Sequence, residues 1–178
     1  QYDQKKNPRL LALKADTGAP AWEVQRKKIS WASPIIIQRT SGPQLILASE
    51  KDVDAYSLSD GTLLWTVQCL DGEVAPSPAY TRDRVFVGQD YAAATAILLH
   101  DEESSTTAEA TWEWDDSLTD IASPLGIGDY FIMATSRGEI VCLDAETGED
   151  HWLEDFDEGF HASPIAAGEL VYALDVAG

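Results

Sequence analysis

The segment CLDAETGEDHW, residues 142–152, decides the fold because two close copies of it occur earlier in the chain. The copies are ALKADTGAPAW at residues 12–22 and AYSLSDGTLLW at residues 55–65. A fourth, degenerate copy, ATAILLHDEESSTTAEATW at residues 94–112, carries an insertion and lacks the glycine of the others. In the first three a glycine lies four residues before a tryptophan; the pairs are Gly18 with Trp22, Gly61 with Trp65 and Gly148 with Trp152.

A Ser-Pro dipeptide follows each tryptophan at a nearly constant distance of 12 or 13 residues; the prolines are Pro34, Pro78, Pro124 and Pro164. Taking Trp112 rather than Trp114 as the repeat tryptophan of the fourth copy keeps this distance uniform. The repeat tryptophans are then 43, 47 and 40 residues apart. A period near 40 residues is typical of propellers and other repeat folds.

Each repeat is predicted to contain four short strands. An apolar run follows the proline, as in PIIIQ at residues 34–38, and two more follow, such as QLILAS at residues 44–49 and DVDAYSL at residues 52–58. These runs are short, rich in β-branched and aromatic residues, and bounded by Gly, Pro and Asp, which favours strands. No sustained helical period occurs. Four antiparallel strands in about 40 residues form the blade of a β-propeller, so we predict an all-β propeller segment.

The repeated residues are predicted to be structural. The glycine fits a tight hairpin turn, where a positive φ costs it little. A large side chain at the same place in every blade can wedge between adjacent sheets, with its N–H donating to a backbone carbonyl of the next blade. We therefore expect these residues to dock and shape the blades rather than to bind a ligand; they are Trp22, Trp65, Trp112, Trp152, Gly18, Gly61, Gly148, Pro34, Pro78, Pro124 and Pro164.

The charge balance excludes some partners. The chain has 178 residues, with 12 Lys and Arg against 31 Asp and Glu, a formal net charge of -19. Such a polyanion has no general attraction to nucleic acid or to an anionic lipid surface. Residues 1–30 hold seven basic and three acidic residues, whereas residues 31–178 hold five and 28. Three interpretations of the acidic surface remain open: solubility, adaptation to high salt, and a docking face for a basic protein.

Few residues suggest chemistry. His100, His151 and His161 stand alone, and Cys69 and Cys142 lie far apart without a CxxC motif, so we predict no catalytic, cofactor or metal site. Whether the cysteines form a disulfide is open. The loops at the ring faces, especially the insertion around residues 91–111, are the predicted partner surface, with Ser104 to Thr107 as a polar, mobile turn. No apolar stretch approaches about 18 residues, so we predict no transmembrane helix.

The pattern A-x-D-x-x-T-G-x-x-x-W followed by S-P resembles the quinoprotein-like, or PQQ-like, repeat family. The stretches LDGEVAPSPAY at residues 70–80 and FHASPIAAGELVY at residues 160–172 are similar to those of BamB-type bacterial propeller proteins. The resemblance implies a seven- or eight-bladed ring and a periplasmic, secreted or cell-envelope location. The start, QYDQKKNPRLL, itself lacks the apolar core of a signal peptide.

Two functional classes share this repeat. One consists of non-catalytic scaffolds that bind protein partners, which is the function we expect, without a cofactor. The alternative is a fragment of a dehydrogenase that binds pyrroloquinoline quinone with Ca²⁺, for which the resemblance would imply an Asp base, Glu, Asn and Asp calcium ligands and a vicinal disulfide. The chain has no adjacent cysteines, and its one asparagine is Asn7.

The repeat pattern divides the chain, residues 1–178, into one propeller segment of about four blades. We predict a half-blade at residues 8–31, three blades at residues 32–74, 75–121 and 122–160, and a second half-blade at residues 161–178. Two interpretations follow. The chain is either a fragment of a longer one, or it forms a homodimer in which two copies close an eight-bladed ring.

Overall fold

The computed structural model describes residues 8–26 and 29–178, which form five β-sheets. Sheet A holds β1 (Arg9–Leu13) and β2 (Pro20–Gln25). Sheet B holds β3 (Ile35–Arg39), β4 (Gly42–Ala48), β5 (Asp52–Ser57) and β6 (Leu63–Gln68). Sheet C holds β7 (Ala79–Thr81), β8 (Arg84–Val87), β9 (Ala94–Asp101) and β10 (Thr106–Trp114). Sheet D holds β11 (Leu125–Ile127), β12 (Tyr130–Ala134), β13 (Glu139–Asp144) and β14 (Asp150–Asp155). Sheet E holds β15 (Ile165–Ala167) and β16 (Leu170–Tyr172).

Sheets B, C and D each pair four consecutive strands in chain order, and every pairing is antiparallel. The predicted all-β architecture of four-stranded antiparallel blades is therefore confirmed. Sheets A and E have two strands each. The predicted blade limits, from residues 8–31 through residues 161–178, stay a prediction. The described residues include no helix long and apolar enough to cross a membrane.

The apolar core lies between successive sheets. One buried cluster joins sheets B and C, a second joins C and D, and a third joins D and E. In the second cluster Phe86 of sheet C stacks on Phe131 of sheet D with ring centroids 4.6 Å apart, and Trp112 lies 5.5 Å from Phe86. Successive sheets from B to E thus bury apolar surface against one another, as stacked repeats do.

Each Ser-Pro dipeptide lies directly before the first strand of its sheet; Pro34 precedes β3, Pro78 precedes β7, Pro124 precedes β11 and Pro164 precedes β15. The proline ring fixes its own φ and holds the preceding residue in an extended conformation. The chain therefore enters every first strand at a defined angle.

The serines of these dipeptides link the sheets through a row of hydrogen bonds. The backbone N–H of Ser33 donates to Oγ of Ser77, that of Ser77 to Oγ of Ser123, and that of Ser123 to Oγ of Ser163, each over 2.9 Å. Every bond runs from one sheet to the next along the chain. These hydrogen bonds thus link the starts of the first strands of sheets B to E. In each bond, the donor belongs to the sheet that comes earlier in the chain.

The insertion of the degenerate repeat lengthens the hairpin of β9 and β10. β9 and β10 have eight and nine residues and stay paired up to Asp101 opposite Thr106. Thr106 is buried, and its Oγ1 accepts a hydrogen bond of 2.9 Å from Gln44 Nε2 in sheet B. The prediction of a mobile turn is wrong for Thr106 and Thr107, which belong to β10, because this hairpin packs on the preceding sheet.

Replacing Ser77 with alanine removes the acceptor of the Ser33 N–H. We expect the free energy of unfolding to fall by about 1 kcal/mol, the usual net value of one hydrogen bond. Ser33→Ala is the matched control, since among the described residues Ser33 Oγ accepts no such bond and the change should have little effect. Urea unfolding followed by tryptophan fluorescence measures both variants. An equal fall in the free energy of unfolding for both variants would show that the Ser33–Ser77 hydrogen bond does not stabilise the fold.

Candidate functional site

The four repeat tryptophans occupy one register position in four different sheets. Each lies on the last strand opposite a small residue; the pairs are Trp22 with Ala12, Trp65 with Ala55, Trp112 with Ala96 and Trp152 with Cys142. A register shift adjoins every pair. Trp114 pairs with Ala94 instead, so Trp112 is the structural equivalent of the other three.

The three repeat glycines form one kind of turn. Gly18, Gly61 and Gly148 have φ values of +68°, +75° and +78°. The N–H of each donates to the carbonyl four residues earlier, over 2.8, 2.9 and 2.9 Å respectively. Glycine adopts this left-handed conformation without the steric cost of a side chain.

Trp22 of sheet A docks on the glycine turn of sheet B. Its Nε1 donates to the Leu58 carbonyl over 2.9 Å. A Cβ added to Gly61 would lie 2.8 Å from Cε3 of Trp22 and 2.5 Å from Cγ2 of Val24, closer than real Cβ atoms approach. Position 61 therefore requires glycine both for its backbone conformation and for the space that the indole occupies. Sequence reasoning found the first requirement and missed the second.

Trp112 of sheet C docks on sheet D in the same way. Its Nε1 donates to the Ala145 carbonyl over 3.1 Å, and a Cβ on Gly148 would lie 2.6 Å from the indole Cδ2. Ala145 lies three residues after Cys142, just as Leu58 lies three residues after Ala55. The two interfaces thus use equivalent atoms.

The interface between sheets B and C is built differently. Trp65 is 8% exposed, but its Nε1 donates to Gln44 Oε1 of its own sheet over 2.9 Å. The expected acceptor in the next sheet is the Leu99 carbonyl, three residues after Ala96, and it accepts instead from Arg39 Nη2 over 3.1 Å. The prediction that Trp65 donates to a backbone carbonyl of the next sheet is therefore wrong, because the longer hairpin of sheet C has no glycine turn to receive the indole.

Arg39 clamps this interface. Its Nε donates to Asp101 Oδ1 over 2.9 Å and its Nη1 to the Tyr80 hydroxyl over 3.0 Å, and the Arg39 side chain is 8% exposed. Burial alone would lower the pKa of Arg39, but the hydrogen bonds with Tyr80 and Asp101 raise it overall. Partial desolvation likewise acts to raise the pKa of Asp101, while hydrogen bonds from Thr40 and Arg39 lower it overall. Both groups thus stay charged at neutral pH.

Trp152 of sheet D has no glycine turn to dock on. Sheet E contributes two strands, which are the first and second of a blade, so its third and fourth strands are absent from the described residues. The Trp152 side chain is 41% exposed, and its Nε1 has no hydrogen-bond acceptor among these residues. Gly18 of sheet A is the complementary case, since a Cβ there would meet nothing within 4 Å.

A cleft of about 330 Å³ lies at the opposite end of the strands from the glycine turns. The loops that lead into sheets B, C and D meet there with the β8–β9 loop. The cleft is lined by two aromatic and four acidic side chains, namely Trp31, Tyr91, Asp71, Glu73, Asp90 and Asp120. Trp31 is 62% exposed and Tyr91 is 92% exposed. An exposed indole beside carboxylates is a setting in which cations bind.

Hydrogen bonds hold the cleft in shape. Gln89 is 3% exposed, and its Nε2 donates to the carbonyls of Asp71 and Glu73 over 2.7 and 3.2 Å. Its Oε1 accepts from the N–H of Asp71 over 2.9 Å. The Trp31 N–H donates to the Val74 carbonyl over 3.0 Å. The loop that carries two of the carboxylates is therefore fixed from both sides.

The sequence analysis did not single out this cleft. The one residue of the cleft that stands out in a comparison of the repeats is Trp31, which lies three residues before Pro34. The equivalent positions in the other repeats hold smaller or polar residues, which are Ala75, Ile121 and His161. The clamping role of Gln89 depends on loops distant in sequence, and no motif marks it.

Within residues 8–26 and 29–178, no group of three or more His, Cys, Asp or Glu side chains could hold a metal ion. Cys69 and Cys142 are free thiols, and burial raises the pKa of Cys69 to about 12 and that of Cys142 to about 11. His100 contacts Glu109 over 2.8 Å, and His151 packs edge-on against Tyr130.

Stacked four-stranded antiparallel sheets with indoles between them define a segment of a β-propeller. The family model described as "Outer membrane protein assembly factor BamB" matches residues 4–101 and 101–178. The chain therefore belongs to this family of PQQ-like repeat propellers. No curated protein is similar enough to match.

Solved structures share the fold. BamB from Moraxella catarrhalis is 16% identical, with a TM-score of 0.68 over 90% of this chain and 48% of that one. A europium-containing methanol dehydrogenase is 12% identical, with a TM-score of 0.66 over 90% of this chain and 42% of that one. The computationally designed Ika8 protein is 12% identical, with a TM-score of 0.68 over 97% of this chain and 53% of that one. The chain thus spans about half the length of these proteins, and the likeness concerns the fold alone.

Replacing Gly61 with alanine tests the double requirement at the glycine turn. We expect a backbone cost of roughly 1 kcal/mol for the left-handed conformation and a further 1–3 kcal/mol, approximately, for crowding Trp22. Gly18→Ala is the matched control, because Gly18 has nearly the same φ but open space around it, and it should show the backbone cost alone. Urea unfolding of both variants measures how much more Gly61→Ala lowers the free energy of unfolding than Gly18→Ala does. Equal destabilisation would show that the indole contact adds nothing.

Proposed function

We propose that the chain is a non-catalytic propeller segment that binds a basic segment of a partner protein in the cleft of Trp31, Tyr91, Asp71, Glu73, Asp90 and Asp120. The observation that carries the proposal is the preformed concavity in which exposed aromatic rings and carboxylates lie side by side. A lysine or arginine side chain satisfies both kinds of group. Its charge pairs with a carboxylate, and its cationic head packs on an aromatic face.

The net charge of the chain supports the choice of a basic partner. A formal charge of -19 attracts cationic surfaces over long range and raises their rate of encounter. The cleft then supplies the short-range contacts. Arg137 Nη1 lies 3.5 Å from Asp90 Oδ1, whereas Asp71 and Glu73 are exposed and form no ion pair with another described residue, so these two carboxylates are available to a partner.

The ends of the blades have different roles in this proposal. The glycine turns lie at one end, where they receive indoles from the neighbouring sheet. The predicted partner surface, residues 91–111, spans both ends. The tip of its hairpin contacts sheet B, whereas Tyr91 lines the cleft. At the cleft end, main-chain groups and serine hydroxyls make the contacts between loops and leave the Trp31 and Tyr91 side chains exposed, which supports this end as the binding face.

We further propose that the protein works in the cell envelope. The matching family model is described as an outer-membrane protein assembly factor, and one similar solved structure is a bacterial BamB.

Binding of a fluorescein-labelled octalysine peptide tests the cleft. We expect the double variant Asp71→Asn/Glu73→Gln to bind roughly 3- to 10-fold more weakly, since each exposed ion pair contributes about 0.2–1 kcal/mol. Trp31→Ala should weaken binding further through loss of the cation–π contact. Fluorescence anisotropy at 50 and 150 mM salt measures these affinities.

The matched control is Glu146→Gln/Glu149→Gln, which removes the same charge at exposed positions of the β13–β14 turn, at the other end of the blades. It should change the affinity less than 2-fold, approximately, because screening leaves little interaction beyond the Debye length. If both double variants lose the same affinity, the peptide responds to total charge and the cleft is not the binding site.

A further inference from the structure

A pocket of about 250 Å³ lies between sheets B and C at the glycine-turn end of the blades, opposite to the cleft. Its walls come from the β3–β4 and β5–β6 turns of sheet B and from the tip of the β9–β10 hairpin of sheet C. The third wall therefore belongs to the insertion of the degenerate repeat. The insertion thus does more than lengthen a hairpin, since it encloses a space beside sheet B.

Hydroxyl groups dominate the polar lining of this pocket. They belong to six side chains from the three turns, namely Ser41, Ser57, Ser59, Ser104, Ser105 and Thr106. Within the described part of the chain, no residue with an ionisable side chain lines the pocket. A hydroxyl both donates and accepts hydrogen bonds. The lining therefore suits polar groups of either kind and offers no charge to pair with.

Hydrogen bonds fix part of this lining and leave part of it free. Gln44 is 2% exposed, and its Nε2 donates to Thr106 Oγ1 over 2.9 Å and to Ser41 Oγ over 3.2 Å. Ser59 Oγ lies 2.8 Å from Ser57 Oγ, a single bond that leaves it two further positions. The exposed Ser104 hydroxyl has no hydrogen bond with a described residue. The pocket is thus preformed and has hydrogen-bonding capacity for a ligand.

The remaining lining is apolar. Pro43, Leu58 and Leu64 contribute carbon surface, and Leu64 is 43% exposed. Sites for drug-sized ligands measure about 300–1,000 Å³, so this smaller pocket suits a single small ring. A sugar ring combines several hydroxyls with carbon-bound hydrogens on its faces, and it matches both parts of the lining.

The charges around the pocket select against an anion. Ser105 Oγ donates to Glu102 Oε2 over 2.9 Å, and Asp60, next to Ser59 in the chain, accepts from the Thr62 N–H over 3.0 Å. These carboxylates lie beside the pocket and do not line it. The formal charge of -19 adds a general repulsion of anionic ligands. A neutral ligand meets neither this repulsion nor an unpaired charge in the lining.

We propose that this pocket binds one neutral sugar ring. Ring hydroxyls hydrogen-bond with Ser41, Ser59 and Ser104, and a carbon face of the ring packs on Leu58 and Leu64. The pocket and the cleft share no residue and lie at opposite ends of the blades. Sugar binding and binding of a basic partner are therefore independent of each other, and either can fail alone.

Saturation-transfer difference NMR with methyl β-D-glucopyranoside tests the pocket. We expect saturable binding with a Kd of roughly 1–10 mM, because so small a ligand gains few contacts. Ser59→Ala should weaken binding roughly 2- to 10-fold, the effect of one hydrogen bond. Leu64→Trp puts a larger side chain into the pocket at a half-exposed position and should weaken binding at least 10-fold, approximately. Ser33→Ala is the matched control, since it removes an exposed serine hydroxyl at the cleft end and should leave the affinity unchanged.

Two related ligands test the ligand class. Methyl β-D-glucuronide adds a carboxylate and should bind at least 3-fold more weakly, approximately, because of the acidic surroundings. Cyclohexanol keeps a ring of similar size with a single hydroxyl, and it should also bind more weakly than the glucoside. Urea unfolding of Ser59→Ala and Leu64→Trp shows whether each variant keeps its fold, and a variant that keeps it is compared with Ser33→Ala. A Kd above about 50 mM for the glucoside, equal binding of cyclohexanol, or equal affinity of the folded pocket variants and the control overturns the proposal.

Discussion

The contact on which this structure depends is that of an indole with the turn of the next sheet. A single four-stranded sheet has two faces to bury and no core of its own, so its stability comes from its neighbours. Trp22 and Trp112 provide the link by packing on Gly61 and Gly148 and donating to a carbonyl of the same turn. The same contact is made at the interfaces between sheets A and B and between sheets C and D, whereas Arg39 takes over the linking role between sheets B and C.

The sequence predicted the architecture well because the repeat residues act locally. A glycine in a hairpin, a proline before a strand and a tryptophan on the fourth strand each leave a mark within one repeat. Contacts between residues far apart in the sequence leave no such mark. The acceptor of Trp65, the clamp by Arg39 and the grip of Gln89 on the Asp71 loop join residues that lie 18 to 62 positions apart. The repeat pattern therefore predicted the blades. It did not predict the Arg39 clamp between sheets B and C or the cleft lined by Trp31 and Tyr91.

The two ends of the blades are constrained to different degrees. At the glycine-turn end, the neighbouring sheet uses a main-chain carbonyl and the space above Gly61 and Gly148, so a side chain at either glycine would clash with an indole. At the cleft end, the loops are held by main-chain groups, by the serines of the Ser-Pro dipeptides and by Gln89. Trp31 and Tyr91 can be exposed there without disturbing the stack. Binding residues on loops above a rigid scaffold are a common arrangement.

The Arg39–Asp101 clamp gives the blades a fixed order. A sheet with a glycine turn can follow any sheet that presents an indole in the standard way, so sheets B and D are interchangeable in this respect. Sheet C cannot follow an arbitrary neighbour, because its long hairpin needs the guanidinium of Arg39 and the amide of Gln44 from the sheet before it. The blades therefore cannot be reordered or duplicated without loss of these contacts. The interface between sheets B and C is specific to these two sheets. A blade copied without its matching neighbour would leave the Asp101 carboxylate without the Arg39 guanidinium, and the Leu99 carbonyl without its hydrogen-bond donor.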